Sequence, residues 1–202
     1  MTRHAPLIVR GLRPSTAPRR DSGRSALRVR RSAILDGAIK RERLEVAIEP
    51  MVEADLDAAL DIDLGAFRPS EIGAGSEDPR VVRERQLREE LARPWARTRV
   101  ARIDRGVVVG YSLFWHVADE VHLLNVAVAP PERRRGVGRA LMADLFTYAR
   151  QHRVSQVLLE VRASNGAAIG LYESLGFSRA RVRTRYYADG EDAVEMARAA
   201  PY

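Results

Sequence analysis

The sequence predicts a single α/β domain: a mixed, mostly antiparallel central sheet flanked by helices, behind a basic N-terminal extension. Three observations predict it. From Leu44 onward, alternating and helical apolar patterns give the order β-α-α-β-β-β-α-β-α-β-β, about 155 residues without an internal repeat. Three of the strands follow one another across short turns, which makes an antiparallel meander. Charge divides the chain: residues 1–43 hold 12 basic and three acidic residues, whereas 44–202 hold 22 and 24. The overall net charge of +7 thus averages a +9 leader and a −2 domain.

Residues 1–31 are rich in Arg, Ser and Pro, carry no period and are expected to be disordered. They lack the apolar core of a secretory signal, and the chain reads as cytoplasmic. An Arg- and Ser-rich transit peptide, or a start assigned too far upstream, would look the same. Residues 32–43 are expected to form a short helix, with Gly37 against it. Leu44, Val46 and Ile48 alternate with polar or small residues as a strand ended by Pro50. Residues 53–64 are helical, with Leu56, Ala59-Leu60 and Asp63-Leu64 in a stripe, and 65–79 form a Gly/Pro-rich loop. A charged helix covers 80–92. Strands follow at 98–103, 107–115 and 121–128, the first two joined at Asp104-Arg105-Gly106 and the last stopped by Pro130-Pro131. Residues 136–152 form an amphipathic helix through Val137, Leu141, Leu145 and Tyr148. A strand at 156–161, a helix at 165–175 stopped by Gly176, and strands at 177–185 and 193–198 complete the domain.

Composition removes several chemistries. There is no cysteine, hence no disulfide, thiolate metal site or thiol nucleophile. No apolar run reaches the roughly 18 residues of a membrane span. His4, His116, His122 and His152 have no ligand spacing, so no metal is expected, and Ser112 lacks the G-x-S-x-G of a serine hydrolase. A pI near 10.4 suggests nucleic acid, but only the extension supports that reading. Lys40 is the single lysine beside 33 arginines, which reads as coding bias.

Chemistry concentrates where the strand Val126-Ala127-Val128 runs into a basic loop that opens a helix. Free amides and the dipole of a helix start attract anions. Gly136 and Gly138 let a ligand approach the backbone, Arg133, Arg134, Arg135 and Arg139 add positive charge around the site, and Val137 between the glycines is counted among the cofactor-binding residues. A pyrophosphate suits this site. The P-loop pattern is absent, and Gly136-x-Gly138 lacks the third glycine of a dinucleotide fingerprint.

Arg133-x-x-Gly136-x-Gly138 resembles the Q/R-x-x-G-x-G/A loop of the GNAT acetyltransferases, which holds the pyrophosphate of acetyl-CoA. Leu159-Glu160-Val161-Arg162-Ala163-Ser164-Asn165, Leu171-Tyr172-Glu173-Ser174-Leu175-Gly176-Phe177 and the closing Tyr186-Tyr187 hairpin resemble the ribosomal-protein-alanine N-acetyltransferases (RimI type). The likeness covers roughly 44–198 at fold level and 121–198 closely. It implies a GNAT-like domain at 44–202 and acetyl transfer from acetyl-CoA, without metal, to the N-terminal α-amine of a protein, with an alanine-led ribosomal protein as the expected substrate. It also implies that Glu160 is the general base, that Tyr172 protonates the departing thiolate, and that Asn165 contacts acetyl-CoA while capping its helix. Val126, Ala127 and Val128 would line the pantetheine arm, and a bulge there would free backbone groups for it. For Glu160 the competing reading is a structural carboxylate paired with Arg162 or Arg183; for Tyr172, a core aromatic.

Segment 65–97 departs from the resemblance, which leaves the substrate open. A small amine, an antibiotic or a lysine is the first alternative; a ribosome- or RNA-binding module acting through the basic extension is the second. Residues 45–78 carry ten acidic residues and one basic. They read either as a solvated acidic face or as an attractor for a cationic protein terminus.

Overall fold

The computed structural model describes the backbone over 25–30, 33–35, 38–40 and 43–44, and backbone with side chains over 45–67, 77–104 and 106–202. Its strands are β1 (Ser25–Arg30), β2 (Ala33–Leu35), β3 (Ala38–Lys40), β4 (Arg43–Pro50), β5 (Ala96–Ile103), β6 (Val107–Val117), β7 (Glu120–Val128), β8 (Gln156–Arg162), β9 (Ser178–Arg183) and β10 (Ala193–Ala199). The helices among the described residues are α1 (Leu56–Leu64), α2 (Pro79–Ala92), α3 (Val137–Gln151) and α4 (Gly166–Ser174). Single 3-10 turns occupy Glu53–Asp55 and Pro130–Glu132.

Among the described residues, eight strands form one sheet in the order β1-β4-β5-β6-β7-β8-β10-β9. Every neighbouring pair is antiparallel except β7 and β8. That parallel pair needs a crossover, and α3 supplies it. The mixed, mostly antiparallel sheet is as expected, and from Leu44 onward the expected elements are present with ends shifted by about two residues or fewer.

The N-terminal portion differs from expectation. The helix expected over 32–43 is replaced by the β2–β3 pair, whose register Ile34↔Ile39 and Leu35↔Ala38 leaves two residues between the strands. The sequence between them is Asp36-Gly37, a strong short hairpin signal between apolar flanks. Further upstream, Ser25–Arg30 runs as a strand beside β4, from Ser25↔Ile48 to Arg30↔Arg43. It pairs backbone groups that would otherwise line an open sheet edge. The disorder expected of residues 1–24 lies outside the described residues.

The sheet separates two apolar layers. On one face, α3 and α4 cover Phe114, Leu123, Leu159 and Val161 together with Met196. On the other, α1 and α2 cover Val100, Tyr111, Leu113 and Ala127. A buried polar knot fixes this second layer. Asp63 of α1, wholly buried, accepts from Nε of Arg83 at 2.7 Å and from the hydroxyl of Tyr111 on β6. A second guanidinium nitrogen of Arg83 reaches Asp63 at 3.0 Å. One carboxylate therefore ties two helices to the sheet.

Candidate active site

The site begins where two parallel strands part. β7 and β8 pair from Glu120↔Gln156 to Leu123↔Leu159 and no further, although both strands continue. At the same point β7 steps its register against β6, from Phe114↔Leu123 to Leu113↔Asn125, which leaves Leu124 as the extra residue of a bulge. Such a bulge bends its strand and frees backbone groups. The expected bulge is therefore real, but it precedes Val126–Val128 instead of lying within them. Beyond it, the β7 edge along Val126, Ala127 and Val128 faces an opening in the sheet. Ala127 points to the α1–α2 face, while Val126 and Val128 pack towards α3.

The basic loop leaves the end of that strand. Arg133 donates to the carbonyl of Val128 at 3.0 Å and to that of Gly65 at 3.3 Å, which ties the loop to the end of α1. Arg135 pairs with Glu132 at 2.6 Å, and Arg139 donates to Ser174 of α4 at 2.8 Å. Arg134, at φ 61°, is exposed. Gly136 caps α3 at φ 89°, a left-handed conformation that glycine adopts without a Cβ penalty. The first helical bond runs from the amide of Ala140 to the carbonyl of Gly136 at 3.0 Å, so the amides of Val137, Gly138 and Arg139 precede the helical ladder. A Cβ on Gly138 would meet only ordinary contacts with Leu171 and Val128, at 3.6 and 3.9 Å. Packing alone does not require that glycine.

Glu160 is the first residue of β8 beyond the last β7 pair. Alternation along β8 puts Val157, Leu159 and Val161 in the core under α3 and turns Glu160 to the opposite face. Its Oε1 accepts from Arg183 at 2.6 Å. Burial pushes the Glu160 carboxyl above the ordinary range, even against the guanidinium of Arg183. Of the two partners considered from sequence, Arg162 is engaged elsewhere. It bonds Asp189 at 3.0 Å and Glu191 at 2.7 Å, and lies 3.9 Å over the ring of Tyr187. Glu191 also accepts from the amide of Ser164 at 3.0 Å. The closing hairpin is thereby fastened to the start of α4, a link that sequence reading missed because its donors and acceptors lie 27 to 29 residues apart.

Asn165 caps α4, its side chain accepting from the amide of Ala168 at 3.1 Å. Tyr172, one helical stretch on, is buried against Phe177 in the layer that holds Leu159 and Val161. Burial pushes its phenol up to about 12. Glu160 and Tyr172 thus lie on opposite faces of the sheet, Glu160 just past the last pair of β7 and β8 and Tyr172 in the layer under α3 and α4. Among the described residues, no group of three or more His, Cys, Asp or Glu side chains forms a metal site. No helix there is long and apolar enough to cross a membrane.

The acidic segment is largely neutralised by arginines that lie beyond it in the sequence. Arg102 takes Glu49 and Asp55, and Arg88 takes Glu53. Arg80 takes Asp57 and Asp61, Arg83 takes Asp63, and Arg85 takes Glu77. Counting charge within a window could not reveal these partners.

Comparison with known proteins gives a consistent result. The model of the Acetyltransferase (GNAT) family matches residues 59–177. The ribosomal protein bS18-alanine N-acetyltransferase of Escherichia coli (strain K12) is 47% identical over 95 residues, 46% of this chain and 64% of that protein. The matched part is thus just under two thirds of that relative. A relative from Bacillus subtilis (strain 168) is 33% identical over 155 residues, 76% of this chain and 95% of its own length. The crystal structure of the ribosomal-protein-S18-alanine N-acetyltransferase from Escherichia coli superposes with a TM-score of 0.62 at 33% identity, covering 75% of this chain and 92% of that one.

Proposed function

This chain belongs to the acetyltransferase (GNAT) family, and from that premise we propose that it transfers the acetyl group of acetyl-CoA to the N-terminal α-amine of a protein, with an alanine-led ribosomal protein as substrate. The observation that carries this reading is the parting of β7 and β8, with a raised carboxyl on one face and a buried phenol on the other. An amine and a thioester can then meet from opposite sides of the sheet. The names of the Escherichia coli relatives support the choice of amine.

The residues fit a pyrophosphate-bearing thioester. The amides of Val137, Gly138 and Arg139 and the charges of Arg133, Arg134, Arg135 and Arg139 suit the phosphates. The edge of β7 along Val126, Ala127 and Val128, beyond its last pair with β8, suits an amide-containing arm, and Asn165, at the start of α4, is assigned to acetyl-CoA with it. Acetyl-CoA supplies an activated acyl carbon. Attack by the amine forms the C–N bond and breaks the C–S bond; Glu160 takes the proton the amine loses and Tyr172 gives one to the sulfur. An α-amine near 7.8 is roughly one-seventh neutral at pH 7, whereas a lysine near 10.4 is neutral about once in 2,500. A carboxylate base therefore has less to do for an α-amine.

The test is acetylation of an Ala-led peptide against N-blocked lysine peptides and free small amines, with wild type and Glu160→Gln. Preferred turnover of the Ala-led peptide, reduced by about a hundredfold or more in Glu160→Gln near neutral pH, is expected. Faster turnover of free amines would transfer the assignment to a small-molecule acetyltransferase. Undiminished turnover in Glu160→Gln would remove the base.

A further inference from the structure

The face of the sheet that holds Glu160 also carries an ordered set of charges from three strands. Register places Glu160 of β8 opposite Glu195 of β10, which lies opposite Arg181 of β9. In the next row Arg162 of β8 opposes Ala193, which opposes Arg183. Arg181 takes its own row's carboxylate, bonding Glu195 at 2.9 Å. Arg183 instead reaches diagonally over β10 to Glu160, past Ala193, the small residue of the intervening strand. Its guanidinium also lies 4.5 Å over the ring of Tyr186. The Glu160 side chain is 10% exposed and that of Arg183 37%, so the pair is shielded chiefly at the carboxylate.

We propose that Arg183 is a positioning residue, which fixes Oε1 of Glu160 so that the second carboxylate oxygen is left for the substrate amine. This rests on the reading of Glu160 as the base and deepens it. A bond from a rigid guanidinium both orients and charges its partner. The charged and titratable groups facing Glu160 are Glu195 on β10, Arg183 on β9 beyond it, His122 of β7 and Tyr186 of the hairpin. Of these, Arg183 and His122 favour the carboxylate and Glu195 opposes it. Without Arg183, burial and Glu195 drive Glu160 further towards its protonated, inactive form.

The experiment measures kcat/KM for the Ala-led peptide from pH 5.5 to 9.5 in wild type, Arg183→Gln, Arg183→Lys and Arg179→Gln. Dividing each variant by wild type cancels the ionisation of the substrate amine. For Arg183→Gln the ratio should fall about tenfold or more from the alkaline plateau to the acid end, since a neighbouring arginine lowers a carboxylate by about 1–3 pH units. Arg183→Lys restores the charge but not the planar fork, so its ratio should be flat in pH yet below one. Arg179, bonded to Glu173 at 3.0 Å, is the surface control, with a ratio near one throughout. A pH-independent ratio for Arg183→Gln would overturn the proposal by reducing Arg183 to a structural role. Glu160→Gln separates the two claims: if it is slow while the Arg183→Gln ratio is flat, only the positioning role falls. If Glu160→Gln turns over like wild type, both fall.

Discussion

At the scale of the residue, burial sets the chemistry more than identity does. The phenol of Tyr172, held near 12, stays protonated throughout the working range. It is then about 5 kcal/mol too weak to protonate a thiolate of ordinary basicity near 8.5. The same burial raises a thiolate formed beside it, because both anions lose hydration, so the gap narrows as the sulfur departs. Tyr172→Phe should therefore lower kcat by about tenfold to a hundredfold with little change in acetyl-CoA affinity, as read by steady-state rates and calorimetry. In wild type, the rate should show no alkaline fall attributable to this phenol below about pH 10. A phenol pushed upward loses its proton only above its raised value, so a fall near pH 9 would assign the acid to another group. Asp63 shows the structural counterpart. Asp63→Ala leaves the Arg83 guanidinium buried without its partner and should cost about 3–5 kcal/mol in urea unfolding. Helical spacing sets Asp63 on the stripe of Leu56, Ala59 and Leu60, unlike the exposed Asp57 and Asp61, but its partners Arg83 and Tyr111 come only from the packing of α1 against α2 and β6.

At the scale of the element, the two glycines of the loop separate fold from ligand. Gly136 holds a left-handed φ at the cap of α3, so Gly136→Ala should destabilise by about 1 kcal/mol whether or not acetyl-CoA is present. Gly138 has no such conformation, and its added Cβ meets only ordinary contacts. Gly138→Ala should leave thermal stability within about 0.5 kcal/mol, or raise it slightly by favouring helix, while weakening acetyl-CoA binding. Equal acetyl-CoA affinity in wild type and Gly138→Ala would mean that the ligand does not cross this turn. The glycine spacing and the stripe Val137, Leu141, Leu145 and Tyr148 were legible because both are local. The bulge at Leu124 was not legible at its true position. It depends on how β7 is registered against β6 and released from β8, and a strand pattern records neither. The Arg183–Glu160 bond is likewise a product of register: residues 23 apart meet because β9 and β10 close a hairpin beside β8.

At the scale of the whole molecule, the sheet has one edge whose cover comes from the N-terminal extension. Charge counting set those residues apart as a leader, and their alternation was too weak against the arginines to read as strand. Yet Ser25–Arg30 pairs with β4, while the parting of β7 and β8 lies well inside the same sheet. Removing residues 1–31 strips β1 and leaves the β4 edge open, which invites association through unpaired backbone groups. Removing residues 1–24 leaves β1 in place. If losing the edge strand costs about 2–3 kcal/mol, the longer truncation should unfold roughly 5–10 °C lower and scatter light on heating. The shorter truncation should match the full chain. Both should keep the acetyl-transfer rate at 25 °C, because the proposed base Glu160 and acid Tyr172 sit on β8 and α4, away from that edge. Identical melting of the two truncations would mean that β1 adds nothing to stability. A loss of transfer in the longer one at a temperature where it remains folded would connect the extension to the substrate groove instead of to the edge.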